Sequence, residues 1–192
     1  MAKKYEFKPD KAHSGLANKL ILTRLQQRKL LKWLLYTLVL LALSVLQDVI
    51  LCQMRIFGST TELVPCGIFL ICLAEGMEGG CVYSLIASAC YLFSGSAAGY
   101  HSLVLLTAIS IVISYFRQSY LRKGFAATML CVAVGLALYE LSVFAIALFL
   151  GQTYPGRLGA FVLTAGLTFL SAPVLYPVVG AISKIGGEAW KE

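Results

Sequence analysis

From Trp33 to Ser183 the chain is a succession of long apolar runs separated by short polar breaks. The first runs from Trp33 to about Leu51, close to the ~20 residues that cross a hydrocarbon core, with Trp33 and Tyr36 placed for the interface. The next, Leu63–Phe93, is interrupted by EGMEGG at residues 75–80 and cannot be one span, because Glu75 and Glu78 would be buried among three glycines. At about 1.5 Å rise per residue, Leu63–Ala74 reaches only about 18 Å. These halves are expected either as short helices meeting at a tight turn or as a re-entrant hairpin shielded by other helices. A fourth segment is predicted from Gly99 to about Phe116, a fifth over Phe125–Leu150, and a sixth from about Leu158 to Ile182. The fold class this predicts is all-α: a polytopic membrane protein of about six transmembrane helices, the second and third forming a short or re-entrant pair.

Composition agrees with that pattern: hydrophobic residues make up 59 %, charged residues 13 %, and mean hydropathy is +0.81. A soluble domain would scatter its charges to keep a wetted surface. Here nine of the 16 basic residues precede the first run, in an arm of residues 1–32. Residues 1–15 read as a polar tail, and 16–32 as a basic helix on the membrane or leading into the first span. With no short basic lead or small-residue cleavage site, the arm reads as a retained anchor rather than a signal peptide. The net charge of +7 sits beside a span, so anionic lipid headgroups are expected as its partner and nucleic acid is not. Six crossings with a cytoplasmic N-terminus put fourteen basic residues inside, leaving only Arg55 and Arg157 outside. Both termini are therefore expected in the cytoplasm, with residues 33–184 as the membrane domain and 185–192 as a short tail.

Few residues suggest chemistry. The six cysteines form no C-x-x-C pair and the two histidines, His13 and His101, are far apart, so no metal or redox centre is predicted. Walker A, H-E-x-x-H, G-x-S-x-G and paired-carboxylate signatures are absent, so neither an enzyme nor a cofactor is expected. Glu140 is the conspicuous exception, in LALYELSVF near the middle of the fifth segment. A charge at bilayer centre costs roughly 2.5–3.5 kcal/mol, so such a residue is paired, neutralised or functional. It reads as a structural or partner-contacting group in preference to an ion site, because no second carboxylate or basic residue is expected at its depth. Gln47–Asp48 read as a solvated helix end, and Glu75 and Glu78 as a wetted tip. Small residues at i, i+4 (Ser84/Ser88, Ala133/Ala137) suit close helix approach, whereas Gly95/Gly99 read as a loop and helix start. Pro173 and Pro177 remove two backbone donors within one turn and should kink the last span.

The order of the short motifs resembles the bacterial rod-shape-determining protein MreD family over about residues 33–184. The matching pieces are ELVP (Glu62–Pro65), EGMEGG (75–80), SGSAAG (94–99), YE (Tyr139–Glu140) and APVLYPVVGAISK (172–184). Family members often carry glycines and an Asp in the third segment; here Ser84 and Ser88 stand near the glycines, with Tyr91 near the acid. The resemblance implies a non-catalytic scaffold of the cell-elongation machinery, partnered with an MreC-like protein, an MreB-like filament and peptidoglycan synthases, with no small-molecule substrate. The candidate partner-contact or structural residues it marks are Pro65, Gly95, Gly99, Tyr139, Glu140, Pro173, Tyr176 and Pro177. The family is also similar in fold to substrate-binding S components of vitamin transporters, which supplies the competing expectation of a polar pocket open to the outside. Against it, the Leu-rich first span lacks the A-x-x-x-A-like patch common in S components.

Overall fold

A computed structural model describes residues 24–51, 59, 61–120 and 124–186. Most of the basic arm (1–23), Arg55, Arg122, Lys123 and most of the tail (187–192) lie outside the described residues. Every regular element among those described is helical, and five helices are long and apolar enough to cross a membrane. These are α1 (Arg24–Leu46), α2 (Leu63–Phe93), α3 (His101–Tyr120), α4 (Phe125–Phe149) and α5 (Leu158–Ser183). Segment ends read from hydropathy fall within a few residues of these bounds, save that α1 begins inside the basic arm.

The interruption in α2 is real. Gly76 takes φ 80° and ψ −172°, a conformation essentially confined to glycine, and the chain folds back there. The reversal brings Gly80 against Cys72, where an added Cβ would stand 2.7 Å from the Cys72 carbonyl oxygen. At the far ends, the Tyr91 hydroxyl comes within 3.4 Å of the Glu62 carboxylate. In one straight helix those residues would be about 40 Å apart. α2 is thus a hairpin of two rods, residues 63–75 and 77–93.

The first rod is the centre of the molecule. Each residue from Leu63 to Leu73 is buried, and α1, α3, α4 and α5 all pack against α2. A helix apolar all round belongs inside, and its shortness is tolerable because protein covers its ends. Ile68, Phe69 and Ile71 pack in one core with Tyr36, Leu106, Val132 and Leu136. Gly135 of α4 lets Ile113 and Phe69 close over its backbone. Ser88 of the second rod meets Thr107 of α3 at 3.0 Å, whereas Ala137 faces outward, so only the first of the two small-residue pairs works as an internal seam.

Breaking α2 at Gly76 leaves carbonyls without their i+4 donors. Arg117, in the last turn of α3, donates its guanidinium to the Leu73 carbonyl, and Ser114 donates to that of Cys72 at 3.4 Å. Arg117 therefore caps the first rod of the hairpin from the end of α3. The expected wetted tip is also corrected in part. Glu75 is buried, its Oε1 lying 2.6 Å from Lys32 Nζ and accepting a 2.7 Å hydrogen bond from Tyr36. Glu78 alone is exposed. Lys32 and Tyr36 are one turn apart on α1, so one helix face supplies both partners.

Candidate functional site

The opposite end of the bundle gathers the remaining buried polar groups. α1 ends in a π-turn (Gln47–Leu51) that swings Gln47 inward while leaving Asp48 outside. The Gln47 side-chain oxygen accepts the Val64 N–H at 3.0 Å, and its amide nitrogen donates to the Tyr91 hydroxyl at 3.4 Å. Gln47 is thus a cap for the first rod of α2, not the solvated helix end its position suggested. Asp48 does behave as a surface residue, accepting a 2.6 Å hydrogen bond from Ser96.

Glu62 opens the hairpin. Its backbone N–H donates to the Thr168 hydroxyl of α5 at 3.0 Å, and its carboxylate accepts from Tyr91 at 3.4 Å. Burial pushes the Glu62 carboxyl up to about 7, with the Tyr91 hydrogen bond pulling the other way. Across the same space, α4 contributes Tyr139 and Glu140, 1 % and 5 % exposed. Glu140 lies within charge range of Glu62, with no hydrogen bond between them. The sequence did not suggest that Glu62 and Glu140 come within charge range of one another. Hydropathy could not reveal this, because Glu62 reads as a residue just outside a span until the hairpin draws it inward.

Two hydroxyls at this place are unsatisfied. Tyr139 Oη and Ser102 Oγ, both fully buried, have no hydrogen-bond partner among the described residues. They stand beside one another without reaching hydrogen-bonding geometry, and the Tyr139 ring lies within charge range of both carboxyls. The site is thus built from α1, both rods of α2, α3, α4 and α5, with two carboxyls, two phenols and two aliphatic hydroxyls facing inward.

The other marked residues separate into two groups. Pro65 is buried in the first turn of the central rod, where a missing N–H costs nothing. Gly95 (φ 78°) and Gly99 (φ 152°) shape the turn before α3, as a loop and helix start should. Neither contributes a side chain to the polar cluster, but Ser96 between them accepts the Tyr91 hydroxyl on its carbonyl at 3.2 Å. Pro173 and Pro177 do not join it: they sit exposed within the continuous helix α5, sharing a face with Leu170, Val174 and Val178. Tyr176 is half-buried and stacks edge-on against Phe125 at a centroid distance of 5.0 Å. In comparisons with known proteins, no family model, no curated protein and no solved structure matches the chain.

Proposed function

We propose that this chain is a non-catalytic scaffold of a cell-elongation complex, crossing the bacterial plasma membrane six times with both termini in the cytoplasm. It would hold an MreC-like protein and, through it, an MreB-like filament and peptidoglycan synthases. The observation that supports this reading is the convergence of the motifs on which the resemblance rests. Glu62 of ELVP, Ser96 of SGSAAG and Tyr139–Glu140 of YE are spread over nearly eighty residues, yet Tyr91 and the two carboxyls draw them into one cluster. EGMEGG forms the opposite turn against α1. Motifs that fold into one structural unit are better grounds for kinship than the same motifs scattered over a surface.

Within this reading the marked residues take different roles. Glu140 is enclosed by its own chain and acts on partner binding only by holding the helices in place. The exposed face of α5 is the better seat for a partner helix, because Pro173 and Pro177 free the carbonyls of Phe169 and Pro173 from their helical donors. Co-purification of the tagged chain with the MreC-like protein of its host tests this. Pro173→Ala with Val174→Trp should weaken capture while leaving the protein folded, and depletion should round a rod-shaped host. Unchanged capture together with unchanged rods would defeat the proposal.

A second reading, a ligand-binding membrane component resembling a transporter S component, is favoured by one feature: the inward-facing polar cluster itself. Native mass spectrometry of the purified protein separates the two. A retained vitamin-sized ligand would reverse their order.

A further inference from the structure

α5 differs from the other long helices in what it leaves uncovered. Only 17 % of its apolar stretch is buried inside the protein, against 28 % or more for each of the other four. Pro173 and Pro177 stand on its exposed side, and proline has no N–H to give. The carbonyls of Phe169 and Pro173 therefore lose their helical donors, and both lie near the middle of this 26-residue helix. Ser171, between them in sequence, donates to the Thr168 carbonyl at 2.6 Å instead. In a span, a backbone acceptor facing hydrocarbon has no water to turn to, so another protein group must satisfy it or it stays unpaired at considerable cost.

The surface around those carbonyls is open. Gly159, Gly166, Pro173 and Gly180 recur at intervals of seven residues, with Leu170 and Pro177 between them. A Cβ added at any of the three glycines would meet nothing within 4 Å. Small residues in such a row let a second backbone come close, and a seven-residue period suits a left-handed crossing of about 20°. α1, α3 and α4 also expose apolar side chains, but none of them contains a proline.

A second copy of the chain is a poor occupant of this face. The aliphatic hydroxyls of α5 are committed within the protein: Thr164 donates to Ala160, Ser183 donates to Gly180, and Thr168 accepts from Glu62. The Tyr176 ring is turned to Phe125 of α4. Two such faces pressed together by symmetry would set acceptor against acceptor. We propose that the exposed face of α5 seats a transmembrane helix of another protein, one that presents two hydroxyl side chains a turn apart to the Phe169 and Pro173 carbonyls. Those carbonyls are separated by about 6 Å along the axis, the rise between serines at i and i+4. The proposal rests on the reading of the chain as a membrane scaffold and adds the chemistry its partner helix carries.

The test uses the full chain, fluorophore-labelled and reconstituted in vesicles of phosphatidylcholine and phosphatidylglycerol, with labelled synthetic Leu/Ala helices as probes. One probe carries Ser-x-x-x-Ser at its centre and its twin has Ala in both places. Resonance energy transfer at a low peptide-to-lipid ratio reports binding. The expected result is saturable binding of the serine probe, roughly tenfold tighter than that of the alanine twin. Pro173→Ala/Pro177→Ala restores both N–H donors and should erase the preference while helix content, read by circular dichroism, is kept. Gly166→Leu fills the open row and should weaken both probes. Equal binding of the two probes overturns the proposal, as does a serine preference that survives the double proline change. Self-association of the chain that Gly166→Leu abolishes also overturns it, in favour of a second copy. Should the variants fail to fold, the two probes on the unaltered chain decide by themselves. The assay needs no host partner: capture of the MreC-like protein alongside equal probe binding overturns this inference and leaves the scaffold reading standing. A serine preference without such capture does the reverse.

Discussion

Glu75 offers a demanding test of the fold, because sequence alone would place it in water. Its carboxylate sits 2.6 Å from Lys32 Nζ, with side-chain exposures of 7 % and 6 %, and accepts a second bond from Tyr36 at 2.7 Å. In Glu75→Gln, Lys32 keeps its charge in a buried place without a counter-ion. Breaking a buried pair from one side costs about 3–5 kcal/mol. The Tyr36 bond to a charged acceptor, about 1.5–3 kcal/mol by itself, lies within that loss and does not add to it in full. Lys32→Met should cost a similar amount by stranding the carboxylate. The double variant Lys32→Met/Glu75→Leu removes both charges and should recover part of the loss, the remaining deficit of about 1–3 kcal/mol being that of the stranded Tyr36 hydroxyl. Unfolding by SDS titration in detergent micelles measures all four corners of the cycle. High salt should change little, since screening acts weakly on an enclosed pair. If the single changes each cost under about 1 kcal/mol and add in the double variant, Glu75 is a solvated tip after all and the turn is wrongly described.

Other consequences of the same geometry are open to measurement. Gly76→Ala forces a side chain into a glycine-only conformation and should destabilise by about 1–3 kcal/mol in the same titration. Gly80→Ala should cost at least about 1–3 kcal/mol, because the atom its Cβ meets is a backbone carbonyl that has little freedom to move. Arg117→Met uncovers the Leu73 carbonyl and should cost about 1.5–3 kcal/mol, with hydrogen exchange rising near Gly76. Because burial raises the Glu62 carboxyl to about 7 in the folded chain, its neutral form suits the native state. Stability should therefore be fullest below about 4.5 and decline as pH climbs through about 7. Glu62→Gln should flatten that decline, and an unchanged slope would assign it to another group.

Hydropathy located each of the five long helices among the described residues because partition into lipid is a local property of about twenty consecutive residues. The glycines and acids of EGMEGG marked the break for an equally local reason. What hydropathy misjudged were the polar residues whose partners are remote. Glu75 meets Tyr36 across 39 positions, Arg117 meets Leu73 across 44, and Glu62 meets Thr168 across 106. A charge at the edge of a run looks solvated when only its neighbours in sequence are considered. One signal was available: Lys32 and Tyr36 fall on one face of α1, a cation and a phenol aimed together where a carboxylate would satisfy both. For the Glu62–Glu140 site there was none, since only the hairpin brings residue 62 inward.

The charges that hydropathy found hardest to excuse are arranged around the two rods of α2 as their dipoles require. A helix carries partial positive charge at its N-terminus and partial negative charge at its C-terminus. Glu62 stands at the N-terminus of the first rod, and Arg117 binds a carbonyl at its C-terminus. Glu75, which would be ill placed if it only closed the first rod, also precedes the second and is matched there by Lys32. Each such placement contributes about 0.3–1 kcal/mol at a surface and up to about 2 kcal/mol when partly buried. Removing Glu75 from one rod therefore weakens both, which is why its loss should exceed that of an ordinary ion pair. The same logic distinguishes Glu140. It lies well inside α4, far from either terminus and with no dipole to offset its charge. Glu62 has a helix end to stabilise it and Glu140 has none.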